Sequence, residues 1–214
     1  MSRPRVLVAC ERNQFVTMAF RSKGIEAYNC DIQPCKGGHP EWHIQCDAIQ
    51  MLKLPWDLII AHPPCTYLTC AGAVRLYNKD HSIKDYERLM RGMEAAEFFN
   101  CFLNADCERI AVENPRMMEI FGVRKPDQYI EPYQFGHKWK KKTGLWLKNL
   151  PNLKPSNIVE PDGLWVGSSS AQRLGVSSSV MSLKSKRNAE IRSMTFPGIA
   201  TAMAEQWGSL IKSV

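Results

Sequence analysis

Short apolar runs that alternate with helical stretches constrain the fold of this chain more than any other feature of its sequence. The clearest runs are residues 6–10 and 58–61, which contain only apolar or small side chains. Such runs are typical of strands that are buried on both faces of a sheet. Residues 26–30, 43–46 and 109–112 are further strand candidates, and an acidic residue follows each of them.

The segments between these runs have the pattern of helices. Residues 13–23 and 84–104 carry apolar side chains at helical spacing, and residues 199–212 end the chain in the same way. Residues 129–130 and 145–147 are later strand candidates. Strands that alternate with helices predict an α/β fold of the Rossmann-like type, with a mostly parallel twisted sheet and helices on both faces.

The length and composition predict one core domain. The chain has 214 residues, of which 44% are hydrophobic, enough for a sizeable core. We expect residues 1–150 and 194–214 to form that domain. Residues 151–193 contain three prolines and two serine runs, and they predict an irregular, basic and serine-rich excursion rather than a second core.

The positive charge of the chain is clustered. The formal net charge is +7, and five lysines lie between residues 138 and 148 without an acid. Residues 184–192 add four more basic side chains. Clustered positive charge is typical of proteins that bind polyanions such as nucleic acids. A solvated basic surface is an equal alternative on charge alone.

Membrane, metal and disulfide classes are not favoured. No stretch approaches the roughly 20 apolar residues that span a bilayer, and the N-terminus lacks the apolar region of a signal peptide. We therefore expect a soluble cytoplasmic protein. The eight cysteines include no Cys-x-x-Cys pair, which predicts reduced packing thiols rather than a structural metal or a disulfide scaffold.

Acidic residues at the ends of two predicted strands indicate a nucleoside site. In parallel sheets, ligands gather beyond the carboxyl ends of the strands. Asp31 follows the second predicted strand, where an acid typically accepts hydrogen bonds from ribose hydroxyls. Asp47 follows the third, where it would accept from an adenine amino group. A helix N-cap is the alternative for either acid alone.

Pro63-Pro64-Cys65 directly follows the buried run 58–61 through His62. Two prolines fix the backbone there and hold the next side chain at the crevice of the sheet. A rigid, partly exposed cysteine can act as a nucleophile through its thiolate. A buried packing cysteine is the alternative, which the prolines disfavour.

Glu113 supplies a carboxyl group at the end of the neighbouring predicted strand. Its semi-buried position predicts a raised pKa, which would let Glu113 donate a proton to a substrate nitrogen. A helix-capping acid is the alternative of similar weight.

Together these residues resemble the DNA cytosine-5 methyltransferase family, and more closely its small phage and prophage members. Asp-Leu-Ile-Ile-Ala-His-Pro-Pro-Cys at 57–65 is similar to the catalytic-cysteine motif, and Arg-Ile-Ala-Val-Glu-Asn at 109–114 is similar to the glutamate-asparagine motif. Residues 133–143 are similar to a later motif that reads tyrosine-glycine and then arginines. Residues 194–206 occupy the place of the C-terminal motif that returns to the cofactor.

The resemblance implies a class I methyltransferase that moves a methyl group from S-adenosyl-L-methionine to C5 of cytosine in DNA. Cys65 would add to C6 while Glu113 holds N3 and the exocyclic amine, with the cytosine flipped out of the duplex. Lys141 falls where the family usually has an arginine that steadies the base. Residues 151–193 would replace a full target-recognition domain, and a specificity partner protein is a further expectation.

Further site residues are predicted to contact the cofactor or the nucleic acid. The cofactor contacts are Cys10, Glu11, Asp31, Ile32, Asp47, Ala48, His62 and Pro63. The nucleic-acid contacts are Lys138, Lys140, Lys142, Lys186 and Arg187. Two alternatives stay open: a pyrimidine nucleotide or RNA as substrate, and a nucleic-acid-binding relative without activity. The loop at 9–14 favours the second alternative because it lacks the glycines that let a backbone approach a cofactor.

Overall fold

The strands of the chain are those of a Rossmann-like domain. The computed structural model describes residues 3–161, 164–165 and 194–212. Its strands are β1 (Arg5–Ala9), β2 (Glu26–Asp31), β3 (His43–Gln45), β4 (Leu58–Ala61), β5 (Ile110–Pro115), β6 (Gln128–Ile130), β7 (Trp139–Lys140), β8 (Thr143–Lys148) and β9 (Leu164–Trp165). Its α-helices are α1 (Phe15–Ser22), α2 (Ala48–Met51), α3 (Ala73–Leu76), α4 (Tyr86–Leu103), α5 (Pro197–Gln206) and α6 (Gly208–Lys212).

Seven strands form one sheet in the order β3-β2-β1-β4-β5-β8-β6. Strands β1 to β5 pair in parallel, whereas β8 runs antiparallel to both β5 and β6. The strand order reverses between β1 and β4, which is the switch point where such sheets bind their ligands. The prediction of a mostly parallel α/β sheet is confirmed, and the antiparallel β8 is an addition to it.

Two apolar layers cover the two faces of the sheet. On one face, Val8 and Ile60 pack with the buried side chains of α1, α5 and α6. On the other face, Leu7 and Ile59 pack with those of α2, α3 and α4. Because successive residues of a strand point to opposite faces, both layers together require the uninterrupted apolar runs seen in the sequence.

Strand β5 is longer than the apolar pattern indicated. It continues to Pro115 because Glu113 and Asn114 pair with Leu145 and Gly144 of β8. Glu113 therefore lies within the strand rather than after it. The sequence pattern missed this because polar residues interrupt the apolar run where the strand enters the site.

The predicted C-terminal helix is two helices, α5 and α6, on either side of Trp207. The Trp207 side chain is fully buried, and its indole Nε1 donates a hydrogen bond to the carbonyl of Pro151 at 3.0 Å. A β-carbon at Gly208 would lie 2.6 Å from Cδ1 of Ile25, so a larger residue there would have to displace the end of that buried side chain.

The first part of the predicted excursion lies against the domain. Leu153 is fully buried, and its backbone exchanges two hydrogen bonds of 2.7 Å with the Gln128 side chain. Asn157 accepts a backbone hydrogen bond from Gly136 at 2.7 Å. Beyond Pro161, the excursion falls outside the described residues except for β9, so its extent and the domain division stay predictions.

Within the described residues, no helix is both long and apolar enough to cross a membrane. The same part of the chain contains no group of three or more His, Cys, Asp or Glu side chains arranged to hold a metal ion.

Candidate active site

The carboxyl ends of β1, β4 and β5 open into one cavity of about 340 Å³. The predicted catalytic residues Cys65, Glu113 and Lys141 all line it. So do five of the predicted cofactor residues, namely Cys10, Glu11, Asp31, His62 and Pro63. The structure thus brings together residues that come from five separate segments of the chain.

Cys65 is held at the cavity wall by the loop that follows β4. The backbone N–H of His62 donates to the Ala9 carbonyl at 3.0 Å, which continues the pairing of β4 with β1 for one residue. The carbonyl of Cys65 then accepts hydrogen bonds from Leu68 and Thr69, at 3.2 and 3.3 Å, which close a turn. Cys65 is half-buried, as expected for an accessible thiol on a fixed backbone.

Cys10 also lines the cavity, but its thiol is poorly suited to act as a nucleophile. Burial raises the pKa of Cys10 far above its ordinary value, and the nearby Cys30 and Asp31 raise it further. The thiol of Cys10 therefore stays protonated at neutral pH, whereas catalysis requires a thiolate. Among the cysteines that line the cavity, this leaves Cys65 as the candidate nucleophile.

Asn114 connects the Cys65 loop to β5. Its side chain is 1% exposed, and Nδ2 donates to the Pro63 carbonyl at 2.8 Å. Its Oδ1 is buried without a hydrogen-bond partner in the described structure. Because the amide fixes Pro63, it also fixes the position of Cys65 relative to Glu113. Asn114 belongs to the predicted glutamate-asparagine motif, but no role was predicted for it.

Glu113 forms a buried pair with His62. Its Oε2 lies 3.2 Å from Nδ1 of His62, and the two side chains are 17% and 8% exposed. Burial alone would raise the pKa of Glu113, but the hydrogen bond to His62, the charge of Lys141 and a hydrogen bond to Thr143 outweigh it, so the pKa lies below its usual range.

The prediction of a raised pKa for Glu113 is therefore wrong. Burial was the only influence visible in the sequence, whereas the three opposing groups come from other segments and meet the carboxylate only in the fold. Glu113 is ionised at neutral pH, so it can accept hydrogen bonds from a substrate but carries no proton to donate.

Removing the imidazole of His62 should raise the pKa of Glu113. With its pKa lowered, Glu113 stabilises the fold fully above its ordinary pKa of 4.5 and loses this contribution as pH falls through the folded-state pKa. In His62→Ala, a higher folded-state pKa should narrow this pH range, so the loss of stability on acidification should be smaller than in the parent protein. Urea unfolding followed by tryptophan fluorescence, between roughly pH 3 and pH 7, measures it.

The matched control for this experiment is His39→Ala, because His39 pairs with Glu41 at the surface, at 3.1 Å. The His62 substitution should have no pH-dependent effect in a Glu113→Gln background, where the carboxylate is absent. The same acid dependence in the His62 variant and the parent protein would contradict the role of the imidazole.

Lys141 approaches Glu113 from the segment between β7 and β8. Its backbone N–H donates to Oε2 of Glu131 at 2.7 Å, and its Nζ donates to the carbonyl of Met194 at 3.1 Å. Met194 precedes α5 and also lines the cavity. Lys141 therefore links the C-terminal segment to the site and supplies positive charge beside the carboxylate.

The other wall of the cavity is formed by the loops after β1 and β2. Asp31 ends β2 and lines the cavity, and its Oδ1 accepts a backbone hydrogen bond from Gln33 at 2.8 Å. Arg12 and Gln33 line the same wall, and the guanidinium donates to the Gln33 side chain. Neither residue was predicted to contact the cofactor, because both lie in loops without a recognisable motif.

Three predicted cofactor residues do not line the cavity. Asp47 caps α2 by accepting a hydrogen bond from the backbone of Ile49 at 3.0 Å, which is the alternative named for it above. Ala48 is buried beneath the sheet. Ile32 follows Asp31 but is 72% exposed. Contacts of these three with a cofactor stay predictions.

The predicted nucleic-acid contacts lie partly beside the site. Lys138, Lys140 and Lys142 are exposed and flank Lys141 along the chain. Nζ of Lys142 lies 4.5 Å from the centre of the Tyr129 ring, a cation–π contact. Lys186 and Arg187 fall outside the described residues.

Comparisons with known proteins find distant structural similarity alone. No family model matches the chain, and no curated protein does. Solved structures that resemble it include the S. pombe Dnmt2 methyltransferase, at 15% identity and a TM-score of 0.42, covering 71% of this chain and 51% of that chain. The Entamoeba histolytica methyltransferase EhMeth matches at 12% identity and a TM-score of 0.44, covering 76% of this chain and 57% of that chain.

A mutant of Spodoptera frugiperda DNMT2 matches at 15% identity and a TM-score of 0.39, covering 73% of this chain and 54% of that chain. This chain thus spans little more than half the length of each of these proteins. Likeness at this level carries no functional inference.

Proposed function

We propose that the chain is an S-adenosyl-L-methionine-dependent methyltransferase that acts on C5 of cytosine in DNA, of the small phage and prophage type. The observation that carries this proposal is the one cavity that Cys65, the ionised Glu113 and Lys141 all line. A nucleophile, an acceptor and a cation in one cavity match the needs of a pyrimidine ring, which requires addition at C6 before C5 can react.

The wall formed by the loops after β1 and β2 fits the proposed cofactor. Asp31 offers an acceptor for ribose hydroxyls at the end of β2. Arg12 brings a cationic side chain with an unsatisfied buried donor to the same wall. A cavity of about 340 Å³ lies within the range of small-molecule sites. When bound there, the cofactor supplies the methyl group.

The residues of the chain perform the remaining steps. The thiolate of Cys65 adds to C6 of the cytosine, and the electron pair of the C5–C6 double bond moves to C5. Glu113 accepts a hydrogen bond from the exocyclic amine and orients the ring, while Lys141 balances the charge. After C5 has received the methyl group, it loses its proton to water and the C5–C6 double bond re-forms as the thiolate of Cys65 leaves.

The exposed lysines near the site support a nucleic-acid substrate. Lys138, Lys140 and Lys142 would contact phosphates, which gives affinity without base readout. A cytosine in duplex DNA must leave the stack to reach the cavity. We propose in addition that the enzyme has loose sequence preference or gains specificity from a partner protein. Its proposed location is the cytoplasm of a bacterial or phage-infected cell.

A pyrimidine nucleotide or RNA is the second candidate substrate, because the lysines recognise phosphate in any of these molecules. A binding protein without activity is the third reading. Glu11 favours this third reading. Its carboxylate occupies the N-terminus of α1, where a glycine-rich loop usually lets a cofactor approach the backbone.

Transfer of a labelled methyl group tests the proposal directly. The full chain is incubated with methyl-labelled S-adenosyl-L-methionine and with duplex DNA, single-stranded DNA, RNA or dCMP, and the products are digested to nucleosides. We expect label in 5-methylcytosine from DNA. Label from RNA or dCMP alone would replace the first substrate with the second, and no label from any substrate would favour the binding protein.

A further inference from the structure

The loop between β1 and α1 turns without glycine. Cys10 and Gln14 both adopt the left-handed conformation, with φ of 58° and 62°. This is uncommon for residues with a side chain, and here it replaces the glycines of a typical nucleotide-binding loop. Between them lie Glu11, which turns inward, and Arg12 and Asn13, which line the cavity.

Glu11 occupies the site where such a loop normally receives an anion. Its carboxylate accepts hydrogen bonds from the backbone N–H groups of Val16 and Thr17, at 2.7 and 3.2 Å, and from the Thr17 hydroxyl at 2.7 Å. The side chain is buried, with Glu11 only 7% exposed. A second carboxylate at this helix terminus would meet a negative charge instead of unsatisfied amides.

Arg12 offers the complementary charge next to Glu11. Its Nη1 donates to the neutral side chain of Gln33, and its Nε is buried without a hydrogen-bond partner. Among the described residues, it forms no ion pair with a carboxylate, although such pairs are common for a half-buried guanidinium. A buried donor without an acceptor destabilises the side chain, and an incoming carboxylate would relieve this cost.

Arg12 is connected through Gln33 to Asp31, the proposed ribose contact. Gln33, which receives its hydrogen bond, is itself fixed by the Asp31 carboxylate at 2.8 Å. Arg12 and Asp31 therefore share one wall of the cavity. Arg12 can bind an anion there, and Asp31 can accept hydrogen bonds from hydroxyl groups. A ligand with both a ribose and a carboxylate matches this pair.

We infer that Arg12 binds the carboxylate of the amino-acid part of S-adenosyl-L-methionine and so takes over the anion-binding role of the helix N-terminus. This inference rests on the proposed function, because it names how the same site selects its cofactor. The guanidinium can form two parallel hydrogen bonds with a carboxylate, a geometry that lysine cannot reproduce.

Calorimetry with two ligands tests this role without measuring activity. S-Adenosylhomocysteine carries the amino-acid carboxylate, whereas methylthioadenosine has the same nucleoside without it. In Arg12→Met, we expect the affinity for S-adenosylhomocysteine to fall by about 10- to 100-fold and the affinity for methylthioadenosine to stay unchanged. Arg12→Lys should restore only part of the loss.

Arg75→Met is the matched control, because it makes the same chemical change at an exposed arginine. Unchanged binding of methylthioadenosine shows that the Arg12 variant is folded. Equal loss of both ligands, or no loss of either, overturns the inference while leaving the proposed function intact. Failure of the parent protein to bind either ligand overturns the proposed cofactor itself.

Discussion

Replacing Cys65 with serine is expected to lower methyl transfer by at least about a thousandfold, because a hydroxyl at this position is far less acidic and less nucleophilic than a thiol. The substitution changes one atom in a half-buried side chain, so the fold and the binding of cofactor and DNA should persist. Transfer is measured with labelled cofactor, and DNA binding is measured by fluorescence anisotropy.

A substrate that contains 5-fluorocytosine gives a second readout of the same residue. Fluorine at C5 cannot leave as a proton does, so the bond between Cys65 and C6 should persist and be detected by peptide mass spectrometry. Cys101→Ser is the matched control, because Cys101 is exposed on α4 and does not line the cavity. An adduct on a cysteine other than Cys65, or retained transfer in Cys65→Ser, would remove Cys65 from the mechanism.

Replacing Glu113 with glutamine is expected to lower transfer by roughly 100- to 1,000-fold, a magnitude typical of losing one charge-stabilising group in an active site. Glutamine keeps the shape of the side chain and can still contact His62. It removes the negative charge that Lys141 and His62 hold in place. Single-turnover transfer rates at saturating DNA measure the effect on the chemical step.

The control for this variant is Glu119→Gln, which removes an exposed carboxylate beyond the end of β5. Binding of S-adenosylhomocysteine to the Glu113 variant should stay within about twofold of the parent, because the carboxylate faces the proposed base rather than Arg12. Full activity of Glu113→Gln would show that neither the charge nor the acceptor oxygen at this position is needed.

Much of the fold could be predicted from the sequence because a strand that is buried on both faces of a parallel sheet is a continuous run of apolar residues. The strand at Leu58–Ala61 was predicted with its full extent, and α1 and α4 were predicted to within a few residues. Strand β5 was predicted too short because its last residues pair with β8, and pairing between segments that are distant along the chain leaves no local pattern.

The candidate site was predicted in part for the same reason. Cys65 follows a buried apolar run and Glu113 directly follows another, and the rule that ligands meet the carboxyl ends of strands predicted that they lie together. The partners that decide how they behave were not visible. His62 is 51 residues from Glu113 along the chain, and Asn114 is equally far from Pro63.

The sequence by itself determined the α/β class, the edge of the sheet where the chemistry lies and the identity of the candidate nucleophile. Only the tertiary structure decided the charge states at that edge, where Cys10 stays protonated and Glu113 stays ionised. It also decided that the Glu11 side chain accepts hydrogen bonds from the N-terminus of α1. The physical reason is that strand formation depends on neighbouring residues along the chain, whereas a pKa depends on burial and on charges that folding brings within a few ångströms.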